Sequence, residues 1–311
     1  MFDNALIAER EMLKDEAKHP NNYMPSNWSK RYGPIELQAR FLKFCENVTR
    51  KTRSSIAHEL NVPYGSSERA KYDIYGTDLP DDAPIFIFIH GGYWMEFSKD
   101  LSGFSVPNFV AHGIKVVVAG YDLCPNVRLT DIVQQIKLLV EKIIILAQSL
   151  KSKCIWLGGH SAGAHLAESL LHDHKWRASK HSCLELLKGL VPIGGIYDLK
   201  PVLSLSVNEA VKLTSEEISL YTFAPIDELK KLENNSECIS NLKVILAVGE
   251  CDSPIFVEES KRYARRLIQF VDNIKFLLLR NHIDHFDIVE NLTTNDLLLS
   301  KILIHNVKNI K

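Results

Sequence analysis

The chain has 311 residues, 46% of them hydrophobic, enough to bury a sizeable core in one large α/β domain or two small ones. Its 37 basic and 38 acidic residues are interspersed and leave a net charge of -1, which excludes the broad electrostatic footprint of a nucleic-acid or anionic-membrane binder and fits a small neutral or zwitterionic substrate. The acidic stretch Met1 to Glu11 lacks the basic start and apolar core of a signal peptide, no later run approaches a membrane span, and six cysteines (Cys45, Cys124, Cys154, Cys183, Cys238, Cys251) are scattered without a C-x-x-C pair; this predicts a cytoplasmic protein with buried free thiols.

Short apolar, β-branched runs alternate with longer helical patterns, the signature of a mostly parallel sheet wrapped by helices. Strands are expected near Lys71–Tyr75, Ile85–His90, Ile114–Ala119, Cys154–Leu157, Gly189–Ile193, Lys243–Val248 and Ile274–Leu279. Thr130-Asp131 is expected to cap a helix reaching about Leu150, and further helices are expected over Ala162–His172, Phe256–Phe270 and Asn295–Val307. No repeat or low-complexity linker interrupts this order, and Pro80-Asp81-Asp82-Ala83-Pro84 reads as a turn before a strand, so the chain is taken as one domain over residues 1–311. Residues 1–60, read as helices and loops, and about 196–240, polar with helical patches, do not fit the alternation. Both are candidates for a cap over a site, the second as an inserted lid.

The run Gly159-His160-Ser161-Ala162-Gly163 lies between a strand and a small-residue helix. A serine in that sharp turn is held above the sheet at a helix N-terminus, where the N–H of Ala162 can face a developing oxyanion; this is a nucleophile elbow. A serine hydroxyl needs a histidine to take its proton and a carboxylate to fix that histidine's tautomer. Asp252 follows the strand Lys243–Val248 in Gly249-Glu250-Cys251-Asp252-Ser253-Pro254, and His285 follows the last strand in Asn281-His282-Ile283-Asp284-His285-Phe286-Asp287. His285 is chosen over His282 because it stands where the loop meets a helix, and Asp252 over Glu250 for its shorter, stiffer side chain. Asp284 and Asp287 are read as caps of that helix.

A second set of oxyanion donors is expected after the strand ending at Ile89, in His90-Gly91-Gly92-Tyr93-Trp94: Gly91 gives the turn its freedom, and the N–H groups of Gly92 and Tyr93 are the donors. His90 is read as bracing this loop. Tyr93 and Trp94 are read as either core aromatics or walls of the substrate pocket. His172-Asp173-His174, with His181 beyond, lacks zinc spacing, so no metal is assigned.

These residues carry a family resemblance. His90-Gly91-Gly92, Tyr121-Asp122-Leu123-Cys124-Pro125 and Gly159-His160-Ser161-Ala162-Gly163 resemble the α/β-hydrolases of the hormone-sensitive-lipase type. Tyr23-Met24-Pro25-Ser26-Asn27-Trp28, the Tyr93-Trp94 pair and the run Asp284 to Leu292 resemble, more closely, the kynurenine formamidase (arylformamidase) family. The esterases have a third glycine where Tyr93 stands, and the formamidases share the replacement. The resemblance implies an α/β-hydrolase fold with a small helical cap, hydrolysis of N-formyl-L-kynurenine without metal or organic cofactor, and an aromatic binding role for Tyr93 and Trp94. A homodimer is left open. A carboxylesterase of small or aryl esters would share every catalytic residue and differ in the pocket, whereas a non-catalytic ligand-binding homologue would lack a triad member, and none is missing. Holding the substrate's amino-acid end is assigned to polar groups around Ser26-Asn27 or in the 196–240 insertion.

Overall fold

Ile85–Ile89 is a strand with no exposed residue. Alternation sends Ile85, Ile87 and Ile89 into one hydrophobic core and Phe86 and Phe88 into another, so a continuous apolar run is what a central strand covered on both faces requires. The computed structural model describes residues 20–180, 184–223 and 242–309. Its eight strands are β1 (His58–Pro63), β2 (Lys71–Tyr75), β3 (Ile85–Ile89), β4 (Lys115–Ala119), β5 (Ile155–His160), β6 (Leu187–Ile193), β7 (Lys243–Gly249) and β8 (Asn273–Leu279). They form one sheet in the order β1-β2-β4-β3-β5-β6-β7-β8. Pairs β1–β2 and β2–β4 are antiparallel, and all later pairs are parallel.

The principal helices are α1 (Pro34–Ser55), α2 (Leu129–Leu150), α3 (Ala162–His172), α4 (Pro254–Leu267) and α5 (Leu298–Lys308). On α2, Ile132, Ile136, Leu139, Val140 and Ile143 recur at helical spacing and are buried in the core that takes the β3 isoleucines. On the opposite face, Leu37, Phe41 and Cys45 of α1 are buried, and Phe41 and Cys45 join Leu299 and Leu303 of α5 around Phe86 and Phe88.

Three expectations need correction. Residues 58–60, read with the helical and looped N-terminal segment, open β1, an edge strand of alternating half-buried and exposed residues that the apolar criterion passes over. The first turn of α2 is not capped by Thr130: Arg128 is the cap residue, and Asp131 reaches back to accept its N–H at 2.9 Å. Helices α4 and α5 run 254–267 and 298–308, shifted by a few residues from the periodicity, as fraying ends allow. Within the second anomalous segment lie a 3₁₀ turn over Lys200–Ser204 and short helices Val207–Val211 and Ser215–Leu220; residues 224–240 of it, like residues 1–19, lie outside the described ones. Cys45, Cys124 and Cys154 are buried free thiols and Cys251 is a half-buried one, while Cys183 and Cys238 lie outside the described residues. Among the described residues no helix is long and apolar enough to cross a membrane.

Candidate active site

Strand β5 delivers His160 to the sheet's C-terminal edge, and the chain then turns into α3 through Ser161, whose backbone is left-handed (φ 55°, ψ -120°). That conformation is strained for an L-residue, on the order of 1–3 kcal/mol, and is held by the surrounding packing. The Ser161 N–H donates to the Ile193 carbonyl at 2.8 Å. A methyl on Gly159 would lie 2.1 Å from the Gly163 carbonyl oxygen, and one on Gly163 would lie 2.2 Å from that of Ile89. Both glycines of the pentapeptide are therefore dictated by close backbone approach. Ala162 begins α3, so its N–H has no intrahelical partner and faces outward at the positive end of the helix.

The loops after β7 and β8 bring Asp252 and His285 together. Asp252 Oδ2 lies 2.7 Å from His285 Nδ1, its Oδ1 accepts the Ser253 N–H at 2.7 Å, and both side chains are buried. An ionised carboxylate only accepts, so Nδ1 donates and the neutral ring carries its lone pair on Nε2. Phe256 and Phe286 stand edge-on to the imidazole, and the His160 ring lies 4.5 Å from it between centroids. His160 Nε2 bonds the His285 carbonyl at 2.8 Å, and burial, with the neighbouring imidazole, keeps His160 neutral by pushing its pKa well below the ordinary value. The alternatives sit elsewhere: His282 is exposed, and Glu250 accepts the His282 backbone N–H at 2.7 Å while pairing with Arg280.

The loop after β3 passes through three consecutive left-handed residues, Gly92 (φ 101°), Tyr93 (φ 47°) and Trp94 (φ 58°). A side chain at Gly92 would strike the Glu96 carbonyl at 2.5 Å, and one at Gly91 would press on the His160 carbonyl at 2.9 Å and on Ser161 Cβ at 3.0 Å. The Gly92 carbonyl accepts from Met95 and Glu96, both at 2.9 Å, while the N–H groups of Gly92, Tyr93 and Ala162 donate to none of the described residues. His90 stacks on Tyr121 at 4.2 Å, and its Nδ1 lies 2.8 Å from the Gly91 carbonyl; burial pushes its pKa down to about 4. It thus braces the glycine turn as a neutral ring. The two aromatic residues part company here. Tyr93 lines the cavity and donates its hydroxyl to the Tyr23 carbonyl, whereas Trp94 is fully buried, edge-on to His165 and away from the cavity walls, so of the two readings open for this pair the cavity lining falls to Tyr93 and the core to Trp94.

Ser161, His285, His90, Gly91, Gly92 and Tyr93 line one cavity of about 530 Å³. Phe41, Phe97, Phe104 and Phe286 give it aromatic walls, with Met24 and Met95 beside them, and Ser26, Gln38, Glu96 and Ser102 supply its polar groups. Ser26 accepts from Gln38 at 3.2 Å; Asn27, its predicted companion, instead bonds Asn21 outside the cavity. The 196–240 segment contributes Val207. Sequence reading passed over Phe41 and Gln38, although the buried spacing Leu37-Phe41-Cys45 on α1 marks the helix face that carries Phe41 to the cavity. Of the histidines weighed for a metal, His172 and His174 do not line this cavity, His172 stacking on Phe223 and bonding the Tyr263 hydroxyl at 2.8 Å, while His181 lies outside the described residues.

The BD-FAE family model matches residues 72–261. A kynurenine formamidase of Salmo salar is 35% identical over 95% of this chain and 97% of its own length, and one of Danio rerio is 34% identical over 95% and 97%. Among solved structures, a hyperthermophilic esterase of the archaeon Pyrobaculum calidifontis superposes with a TM-score of 0.60 at 16% identity, covering 88% of this chain and 90% of that one, a likeness of fold alone. Since the identity to the formamidases runs through both the sheet and the segments outside it, the chain belongs to the kynurenine formamidase family of α/β-hydrolase enzymes.

Proposed function

We propose that the chain hydrolyses N-formyl-L-kynurenine to L-kynurenine and formate, with Ser161 as nucleophile, His285 as general base and acid, and Asp252 as the carboxylate that fixes His285. The observation that carries this reading is the Asp252–His285 pair at 2.7 Å, whose imidazole shares a cavity with a serine on a left-handed elbow. The relatives' names supply the substrate; the aromatic walls suit an aryl formamide, and a formyl carbon, bearing only hydrogen, asks for little acyl space.

Ser161 Oγ adds to the formyl carbon while its proton passes to His285 Nε2. The N–H groups of Gly92, Tyr93 and Ala162 hold the resulting oxyanion, each such donor contributing about 2.7–4 kcal/mol to lowering the barrier. The C–N bond then breaks as His285 returns the proton to the arylamine nitrogen, leaving a formyl ester on Ser161. Water, deprotonated by His285, adds to that ester; its C–O bond breaks, Ser161 recovers a proton and formate departs. The polar lining, Ser26 from the N-terminal segment together with Gln38 and Glu96, would receive the amino-acid end, with the described residues before β1 and those of 196–223 as the proposed cap of a single hydrolase domain.

The test compares kcat/KM for N-formyl-L-kynurenine with that for an activated phenyl ester, using Ser161→Ala as control. A preference for the formamide abolished in the variant is expected; a large preference for the ester would replace this reading by that of an aryl esterase.

A further inference from the structure

The proposed base stands on a loop, and a loop side chain is only as well placed as its neighbours make it. Asp284, the residue before His285, is fully buried and fully bonded. Its Oδ2 accepts from Ser29 Oγ at 2.5 Å and Arg31 Nε at 2.8 Å, and its Oδ1 accepts from Arg31 Nη2 at 3.0 Å and from the N–H groups of Phe286 and Asp287 at 2.8 and 2.9 Å. Arg31 Nη1 goes on to Glu290 Oε2 at 2.7 Å, at the far end of the short helix Asp287–Glu290. One guanidinium thus ties both ends of the segment that carries His285, and its planar fork fixes orientation as well as distance.

The acids need that cation. Burial opposes the charge on Asp284, yet the hydrogen bonds from Arg31 and Ser29 prevail and hold it below the usual carboxylate range; burial and the Asp284 charge push Asp287 above it. Without Arg31, Asp284 becomes a buried charge lacking its counter-ion, and the loop must move to bring it to water. The same N-terminal stretch reaches the other two loops of the site, because Ser253, next to Asp252, donates to the Asn22 carbonyl, and Tyr93 donates to the Tyr23 carbonyl.

We propose that the segment Asn22–Arg31 clamps the three loops of the site together, and that Arg31 is the positioning residue for His285. The inference rests on the reading of His285 as the base. Its test uses the full chain with Arg31→Gln, Arg31→Lys and Ser29→Ala. Two readouts are taken per folded molecule: kcat and KM for N-formyl-L-kynurenine, and the rate at which a fluorophosphonate labels Ser161. Labelling needs the nucleophile and base but no formamide, so if the wild type labels yet does not turn over the formamide, the substrate assignment fails while the labelling series still judges the clamp.

Arg31→Gln is expected to lower kcat and the labelling rate together, by about 30- to 100-fold, with KM within about threefold, the pattern of a misplaced base rather than a lost substrate contact. Arg31→Lys, which keeps the charge and loses the fork, should recover about a third to a tenth of wild-type kcat, and Ser29→Ala should lower it about threefold. A folded Arg31→Gln with kcat and labelling intact would overturn the clamp, as would lost turnover with unchanged labelling. Should Arg31→Gln not fold, Ser29→Ala decides, and wild-type values of both readouts in that variant would sink the idea.

Discussion

Two acid–histidine pairs hang from the same two strands. Glu250 and Asp252 follow β7, His282 and His285 follow β8, and because those strands are parallel neighbours their C-terminal loops lie side by side. The residue types match, yet the environments are opposite. Asp252 and His285 face each other side chain to side chain in a buried setting with the imidazole on the cavity. Glu250 meets the His282 backbone and the exposed Arg280, and the hydrogen bond from the His282 N–H, with the Arg280 charge, holds its carboxyl below the usual range. What separates the buried pair, proposed to transfer the proton, from the surface contact is therefore where each chain turns: Asn281 and His282 are both left-handed, which keeps His282 at the surface, and the loop enters the interior only at Ile283.

The strongest way to break this contrast is to remove members of the buried pair. Ser161→Ala and His285→Ala are each expected to lower kcat on N-formyl-L-kynurenine by about 10⁶, and Asp252→Asn by about 10⁴, with melting temperatures showing that each variant folds. The asparagine keeps the shape while letting the imidazole adopt the wrong tautomer. If Asp252→Asn kept wild-type turnover, the acid would have to be sought elsewhere, with Glu250 the first candidate.

Burial also keeps a histidine neutral away from the site, and this sharpens the comparison through stability. His165 is buried against Trp94 and Phe223, with Nε2 at 2.9 Å from the Tyr221 carbonyl, and burial pushes its pKa down to about 4. Unfolded, it titrates near 6.5. Between those values the unfolded chain binds the extra proton, so the stability that a neutral buried His165 contributes is complete above about pH 6.5 and is lost as pH falls toward 4. Glu168 and Glu259, pushed by burial from 4.5 up to about 7, act with the opposite sign over that overlapping window, since their stability is lost as pH rises through it. Hence the prediction is a difference: the destabilisation caused by His165→Gln, measured by urea unfolding, should be largest at pH 7 and shrink by up to about 3 kcal/mol at pH 4. A difference that does not vary with pH would contradict the burial account.

Sequence and structure agree where a signal is local. Fully buried strands such as Lys115–Ala119 announce themselves as apolar runs, and the elbow is written in five consecutive residues. Strand β1 escapes because His58–Pro63 is a polar edge whose register slips between Glu59 and Val62, around a left-handed Asn61. Trp94 misleads for another reason: its place after the glycines suggests the cavity, but left-handed backbone at Tyr93 and again at Trp94 turns the indole into the core. Arg31 and Asp284 stand 253 residues apart, so nothing in either neighbourhood announces the pair; only the closed fold brings the N-terminal segment across the β8 loop.

The smallest expected effect tests the surface pair itself. Glu250→Gln removes the ion pair with Arg280, an exposed contact that solvent screens, and leaves an amide oxygen that can still accept the His282 N–H. Turnover should stay within about threefold of wild type, because nothing on the cavity side changes. His282→Ala is the more demanding variant, since alanine, like the histidine it replaces, holds a φ of 62° at a cost of roughly 1 kcal/mol, which His282→Gly relieves. The two should differ in melting temperature while both retain turnover within about threefold. If both instead lost turnover alike, the imidazole of His282 and not its backbone would matter, and the division between the buried and the surface pair would have to be redrawn.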